Sequence, residues 1–468
     1  MKALLVALLL FQTVPFAKSD DFKRNLPDAG MLGQLTPERF PNQDAIIILK
    51  EQAFSVHQAT IFYRGYEFEG PGTTRAKIMI VKLLTEAGAR RYGSFEYTFP
   101  EWFGDEIRSA FEAHVRVLKQ DGSIRVMPED EIKTIVSREN RDGTPLERKV
   151  LFKIADLRAG DVLQIEQVHT TPLARSASGI FFYNDRDIVL FSNLAITLPA
   201  EDDVRYFSFP EERVGAPKVS EIAQSYGSGE TYFWSMKNLN PIPDEPYGLP
   251  FADQSLITAF IDDHPAENGY RPVTDWNSLA KEYASDYLDN NSIGDARISE
   301  LGFAPEETGI TLEKIDRLYE SLRKAISLRS TNSIYPLSKD IDQIFEKKVG
   351  DASDLAYIMY TILKQWEQNA NAVWIRDRRD GVYEETVPTL TWFDRMGVLV
   401  KVGNQEKVYD FDRSIPAKYD MPWFLNGIRV PVVTSSGCHH KLLNDACGVQ
   451  DHFTRERHLL RLAGGPRV

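Results

Sequence analysis

"KKVGDASDLAYIMYTILKQ", residues 347–365, is the stretch on which the reading of the fold turns. Gly350 and Asp351 turn the chain, and a helix begins at Ala352. Leu355, Ile358, Met359, Ile362, Leu363 and Trp366 fall at offsets 0, 3, 4, 7, 8 and 11, so one stripe of the helix is apolar and packs inward. Ala352, three residues before Leu355, shares that face. Asp351 is placed to cap the helix, and Asp354 lies in the first turn, where the positive end of the helix dipole favours a carboxylate. Strand-like segments follow at "NAVWIRD" (371–377), "GVLVKV" (397–402) and "KVYDFD" (407–412). The local order is helix, strand, strand, strand.

Upstream, "DWNSLAKEYASDYLDN" (275–290) and "LEKIDRLYESLRKAIS" (312–327) carry apolar side chains at helical spacing, with a loop over 291–311 between them. Residues 240–251, "NPIPDEPYGLPF", hold four prolines in twelve residues, and 241–274 reads as a Pro-rich linker. Before it, residues 40–240 read as β structure. "DAIIILKEQ" (44–52), "RAKIMIVKLL" (75–84), "HVRVLKQDG" (114–122) and "DVLQIEQVH" (161–169) are short Ile-, Val- and Leu-rich runs, several of them alternating at period two. "QDGS" (120–123) supplies a turn. Strand runs without long helices between them predict an antiparallel β-sandwich.

The ends of the chain add context. Lys2 precedes an uncharged apolar run from Ala3 to Phe16, and Ala17-Lys18-Ser19 offers small residues for cleavage, so residues 1–19 read as a signal peptide. That run is shorter than the about 20 residues that span a bilayer, and no transmembrane segment is expected after cleavage. Removing Lys2 and Lys18 from the 55 basic residues leaves 53 against 68 acidic ones. This acidic surplus excludes nucleic acid as an expected partner, since the phosphate backbone rewards a basic patch. Residues 434–468 form a tail containing Cys438 and Cys447, which pair as a disulfide in an oxidising compartment. A free thiol and a zinc site with His439, His440 and His452 are the alternatives, although the spacing matches no common ligand pattern.

A cysteine at the start of such a helix would be activated by the helix dipole, with a histidine and an aspartate from the following strands as base and orienter. The arrangement resembles the transglutaminase-like (papain-like) fold. The whole chain resembles secreted bacterial two-domain proteins, in which an N-terminal β-sandwich domain of unknown function precedes a transglutaminase-like domain. The second half carries this resemblance at Gly350-Asp351-Ala352-Ser353-Asp354, Phe393-Asp394-Arg395 and Asp412-Arg413-Ser414. The first half carries it at "DAIIILKEQ", "KLLTEAGARRYG" (82–93), "VRVLKQDGSI" (115–124) and "DLRAGDVLQIEQV" (156–168). The resemblance implies a multidomain α+β architecture, with the sandwich over 40–240 and the transglutaminase-like domain over 275–433.

The same resemblance implies a degenerate triad. Ala352 stands at the nucleophile position and Arg395 at the base, while Asp412 keeps the orienting role. Independently of register, no cysteine or histidine lies between Pro265 and Gly437. A guanidinium stays protonated and cannot replace the base. Arg395 is expected to bond Asp412. Asp351, Asp354, Trp392 and Asp394 are candidates for lining a residual cleft. The expectation is a pseudoenzyme, a periplasmic or secreted binding or scaffolding module for a peptide, protein or cell-envelope component, with no cofactor and no metal. The alternatives are a cysteine-dependent acyl transferase or peptidase rebuilt through the tail, and a carboxylate-dependent hydrolase.

Overall fold

The computed structural model describes residues 25–63, 66–100, 110–139, 145–172, 178–224, 227–243, 249–263, 275–289, 292–329, 333–336, 340–415 and 421–443. The signal-peptide segment, Cys447 and His452 lie outside them. The chain divides into two compact units.

The first unit takes the residues up to Ala177 together with Phe181–Asp203 and Val214–Pro243. Strands along this part of the chain are β1 (Ala45–Tyr63), β2 (Tyr66–Leu83), β3 (Ser94–Pro100), β4 (Ala110–Leu118), β5 (Ile124–Val126), β6 (Lys133–Glu139), β7 (Pro145–Lys153), β8 (Val162–Pro172), β9 (Ser178–Phe182), β10 (Ile188–Pro199), β11 (Asp203–Phe209), β12 (Lys218–Gln224) and β13 (Gly227–Leu239). Eight of them form one sheet in the order β12-β13-β10-β1-β2-β8-β4-β5. On β4 every second side chain from Ala113 onward is buried, as the period-two pattern predicts. At the predicted turn, Gly122 takes φ +85° and the Asp121 carboxylate accepts from the Ser123 N–H at 2.9 Å.

The sheet is not wholly antiparallel, which corrects the sequence expectation. β1 pairs parallel with β10, while β2 pairs antiparallel on its other side. Tight turns join only antiparallel neighbours; β10 reaches β1 after a long excursion, and that connection sets its direction. A three-stranded sheet, β3-β7-β6, covers part of one face. Phe99, Val150 and Phe152 from this small sheet share a core with Val115, Leu163 and Ile165 from the large one.

The second unit adds Ser178–Ile180 and Val204–Arg213 to the chain from Asp244 onward. Its further strands are β14 (Ile257–Asp263), β15 (Ser327–Leu328), β16 (Val349–Gly350), β17 (Asn369–Ile375), β18 (Arg395–Val402), β19 (Gln405–Tyr409), β20 (Arg429–Thr434) and β21 (Gly437–Leu442), and its longer helices are α1 (Trp276–Tyr283), α2 (Leu312–Ala325) and α3 (Ala352–Gln365). A five-stranded antiparallel sheet runs β19-β18-β17-β20-β21, and β14 sits between β11 and β9 in a separate three-stranded sheet. Helix α3 is buried more completely than its stripe predicts. Ala356, Tyr357 and Thr361 are covered as well as Leu355, Ile358, Met359, Ile362 and Leu363. Covering each of the large apolar side chains contributes about 1.5–3 kcal/mol.

Two boundaries are corrected. The stretch 241–274 is not simply a linker, because Leu256, Ile257, Ala259, Phe260 and Ile261 are buried in and beside β14. The four prolines that suggested a linker end at Pro250, and the apolar run between them and Pro265 pairs as a strand. The tail reading of 434–443 also fails. Gly437–Leu442 pairs with Arg429–Thr434, so Cys438, His439 and His440 belong to the sheet. Among the described residues no helix is long and apolar enough to cross a membrane.

Candidate functional site

The first turn of α3 meets the start of β18. Asp351 and Asp354 cap the helix reciprocally: the Asp351 carboxylate accepts from the Asp354 N–H at 2.8 Å, and the Asp354 carboxylate accepts from the Asp351 N–H at 2.9 Å. Both residues are buried. Ser353, also buried, accepts from the Met396 N–H at 2.8 Å and donates to the Ser333 carbonyl. These bonds tie the helix start to the strand that carries Arg395. Ala352 is half-buried beside them.

Arg395 does not bond Asp412 as expected. Its Nε lies 2.9 and 3.0 Å from the two Asp410 carboxylate oxygens, and its Nη2 lies 2.8 Å from Asp410 Oδ2 and 3.0 Å from Asp377 Oδ2. Asp412 approaches no closer than 3.9 Å, from Nη1. Side-chain exposure explains the choice. Asp410 and Asp377 are fully buried, at 0 %, and need an ionic partner, whereas Asp412 is 21 % exposed. The Asp412 carboxylate instead accepts from the Ser414 N–H at 2.7 Å and from its hydroxyl.

The network extends further. Arg379 donates to Asp377 from its backbone N–H at 2.9 Å and from Nη2 at 2.6 Å, and its Nη2 reaches Asp412 at 3.4 Å. Burial works against the charge on Arg395, yet Asp410 and Asp377 outweigh it and hold the guanidinium above the ordinary arginine value. Burial likewise opposes the Asp377 carboxylate, and its bonds to Arg379 with the field of Arg395 hold it below the usual range. Asp377 and Arg379 were missed by sequence reasoning. Their signal is the alternation in "IRDRRDG" (375–381), which continues β17 at period two.

The other expected cleft residues disperse. Trp392 is buried; its Nε1 donates to the Val387 carbonyl at 3.2 Å and its ring lies 5.4 Å from the Arg376 guanidinium, so it packs as a strut. Asp394 is half-buried. Burial and the nearby Asp380 push its carboxyl up to about 7, against the pull of Arg376 and Arg395.

Cys438 and His440 share β21. Two strands, β17 and β20, stand between it and β18, which puts them about 14 Å apart across the sheet at the usual spacing. His440 Nδ1 is 2.7 Å from the Tyr383 hydroxyl, and burial lowers its pKa. Burial pushes the Cys438 thiol up to about 12. Chemically, the helix start therefore offers a permanent cation, a bonded hydroxyl and carboxylates committed to caps and ion pairs. Among the described residues, no group of three or more metal-ligating side chains is placed to hold an ion.

Residues 73–243 match DUF3857, a domain of unknown function with solved structure. The match runs from within β2 to just past β13. No curated protein matches the chain. Among solved structures, the chain is similar to one from Parabacteroides distasonis described as "a putative protease", with a TM-score of 0.62, 12% identity, and coverage of 86% of this chain and 72% of that one. At that identity the likeness shows a shared fold. An M1 zinc metallopeptidase from Deinococcus radiodurans has 10% identity, coverage of 47% of this chain and 44% of that one, and a TM-score of 0.22, which is too low to support an argument.

Proposed function

We propose that residues 275–433 are a transglutaminase-like domain that has lost its chemistry, and that the chain is a periplasmic or secreted binding module for a peptide, a protein or a cell-envelope component. The observation that carries this reading is Arg395. Its guanidinium is locked between Asp410 and Asp377 on β18, next to the Met396 N–H that bonds Ser353 at the start of α3, and on this reading it stands where the resembling family's base would act. Ala352 supplies no nucleophile, and Ser353 spends its hydroxyl on Ser333 and Met396. The description of the Parabacteroides protein favours a peptide as the ligand class.

The test compares acyl transfer from a glutamine-containing peptide to an amine probe. Wild type is expected to give none. Ala352→Cys is expected to react with iodoacetamide as a thiol of pKa below the free value of about 8.5, since the helix start favours thiolate. Ala352→Cys with Arg395→His is expected to raise transfer above wild type. Turnover by wild type that disappears on substitution at Asp412 overturns the reading. Peptide hydrolysis that disappears in Asp394→Asn favours the carboxylate-dependent hydrolase, for which the near-neutral Asp394 is the supporting observation.

A further inference from the structure

In the first unit, two adjacent rows of cross-strand partners cross one face of the eight-stranded sheet. One row is Phe54, Arg75, His169 and Phe111, and the next is Gln52, Lys77, Gln167 and Ala113. Rings from β3 stand over them. Lys77 Nζ is 5.3 Å from the centre of the Tyr97 ring, and the Phe99 and His169 rings are 4.9 Å apart. Tyr97 and Phe99 both stack on Phe111, at 5.1 and 5.4 Å, which makes a continuous apolar wall.

Among the described residues, no carboxylate bonds the cations of this strip. Arg75 Nη2 donates to the neutral Gln52 side chain at 3.1 Å and its guanidinium lies 5.1 Å over Phe54, while its Nε is buried without an acceptor among the described residues. His169 Nε2 is buried without a partner among them too. The charged neighbours that act on Lys77 are Arg75 and Lys50, both cations, and it faces His169 from β8 and Tyr97 from β3. Burial, followed by these cations, pulls Lys77 down to about 7, and burial with Arg75 and Lys77 pulls His169 to about 4. A core position would hold better with an apolar side chain, because a desolvated cation without a counter-charge is a cost. Yet Arg75, Lys77 and His169 all keep partial solvent access. Apolar surroundings with a few convergent polar groups are the usual setting in which ligands bind.

We propose that this strip is a binding site for an organic carboxylate, with its anionic head on Arg75 and Lys77 and its apolar body against the partly exposed Tyr97 and Phe111. A guanidinium edge matches a planar carboxylate. The ring wall rewards the apolar part of such a ligand, which inorganic phosphate lacks. The site lies in the domain of unknown function and is independent of the helix-start reading.

Calorimetric titration of the full chain at pH 6.5 with phenylacetate, phenylacetamide and inorganic phosphate tests the proposal. Phenylacetate is expected to bind saturably, with the neutral amide and phosphate each at least tenfold weaker. Raising the pH to 8.5 is expected to weaken phenylacetate binding, as Lys77 gives up its charge. Lys77→Met is expected to weaken it at least tenfold while leaving the melting temperature unchanged or higher. Absence of saturable phenylacetate binding overturns the proposal, as does an amide that binds equally or a phosphate that binds as tightly. A lowered melting temperature with unaltered phenylacetate affinity in Lys77→Met marks the lysine as a packing strut and also overturns it. The comparison of acid with amide uses only wild type, so it decides the question even where a variant fails to fold.

Discussion

Arg395 spans two buried carboxylates at once, Nε lying 2.9 Å from Asp410 Oδ1 and Nη2 3.0 Å from Asp377 Oδ2. Removing the guanidinium strands both acids in the interior. Arg395→Met is expected to lower unfolding stability by about 3–5 kcal/mol, read from urea midpoints. Adding Asp410→Leu is expected to recover part of that loss, because the pair is coupled and Asp377 retains Arg379. A double variant that loses the sum of the two single effects would show that the pair is energetically independent.

Ser353 joins α3 to β18 through the Met396 N–H at 2.8 Å. Ser353→Ala leaves that buried donor without its partner and is expected to cost about 1–3 kcal/mol. Hydrogen exchange supplies the local readout: the Met396 amide is expected to lose protection more than other β18 amides.

Asp394 sets a pH window. An unfolded aspartate titrates near ~4, whereas burial and Asp380 hold the folded carboxyl up to about 7. Between those values the folded protein binds more protons, so stability is highest below pH 4 on this account and falls as pH rises through 7. Asp394→Asn is expected to remove that slope, which urea midpoints measured at pH 5 and pH 8 would detect.

Cys438 is expected to be a slow thiol. With burial pushing its pKa up to about 12, little thiolate exists near neutrality. In a Cys447→Ser background, labelling by a disulfide reagent at pH 7.5 is expected to be far slower than that of free cysteine and to keep accelerating beyond pH 9. Rapid labelling at neutral pH would instead point to an activated sulfur on β21.

Much of the second unit was legible in its residues. The spacing from Leu355 to Trp366 and the acids at 351 and 354 placed helix α3 and its cap, because periodicity and capping act over three or four residues. The runs at 371–377, 397–402 and 407–412 located β17, β18 and β19 for the same reason. β14 was obscured by the prolines before it, and β21 by a Cys- and His-rich composition that reads as a site rather than a strand.

The amino-acid order alone determined that no sulfur or imidazole lies between Pro265 and Gly437, since that is a property of composition and no folding can change it. Only the folded chain decided that Arg395 takes Asp410 and Asp377 over Asp412, and that Lys77 meets Tyr97, which stacks on Phe111. Partner choice depends on which carboxylates leave water and which strands become neighbours. Both are set by contacts between residues far apart in the chain, where local pattern carries no information.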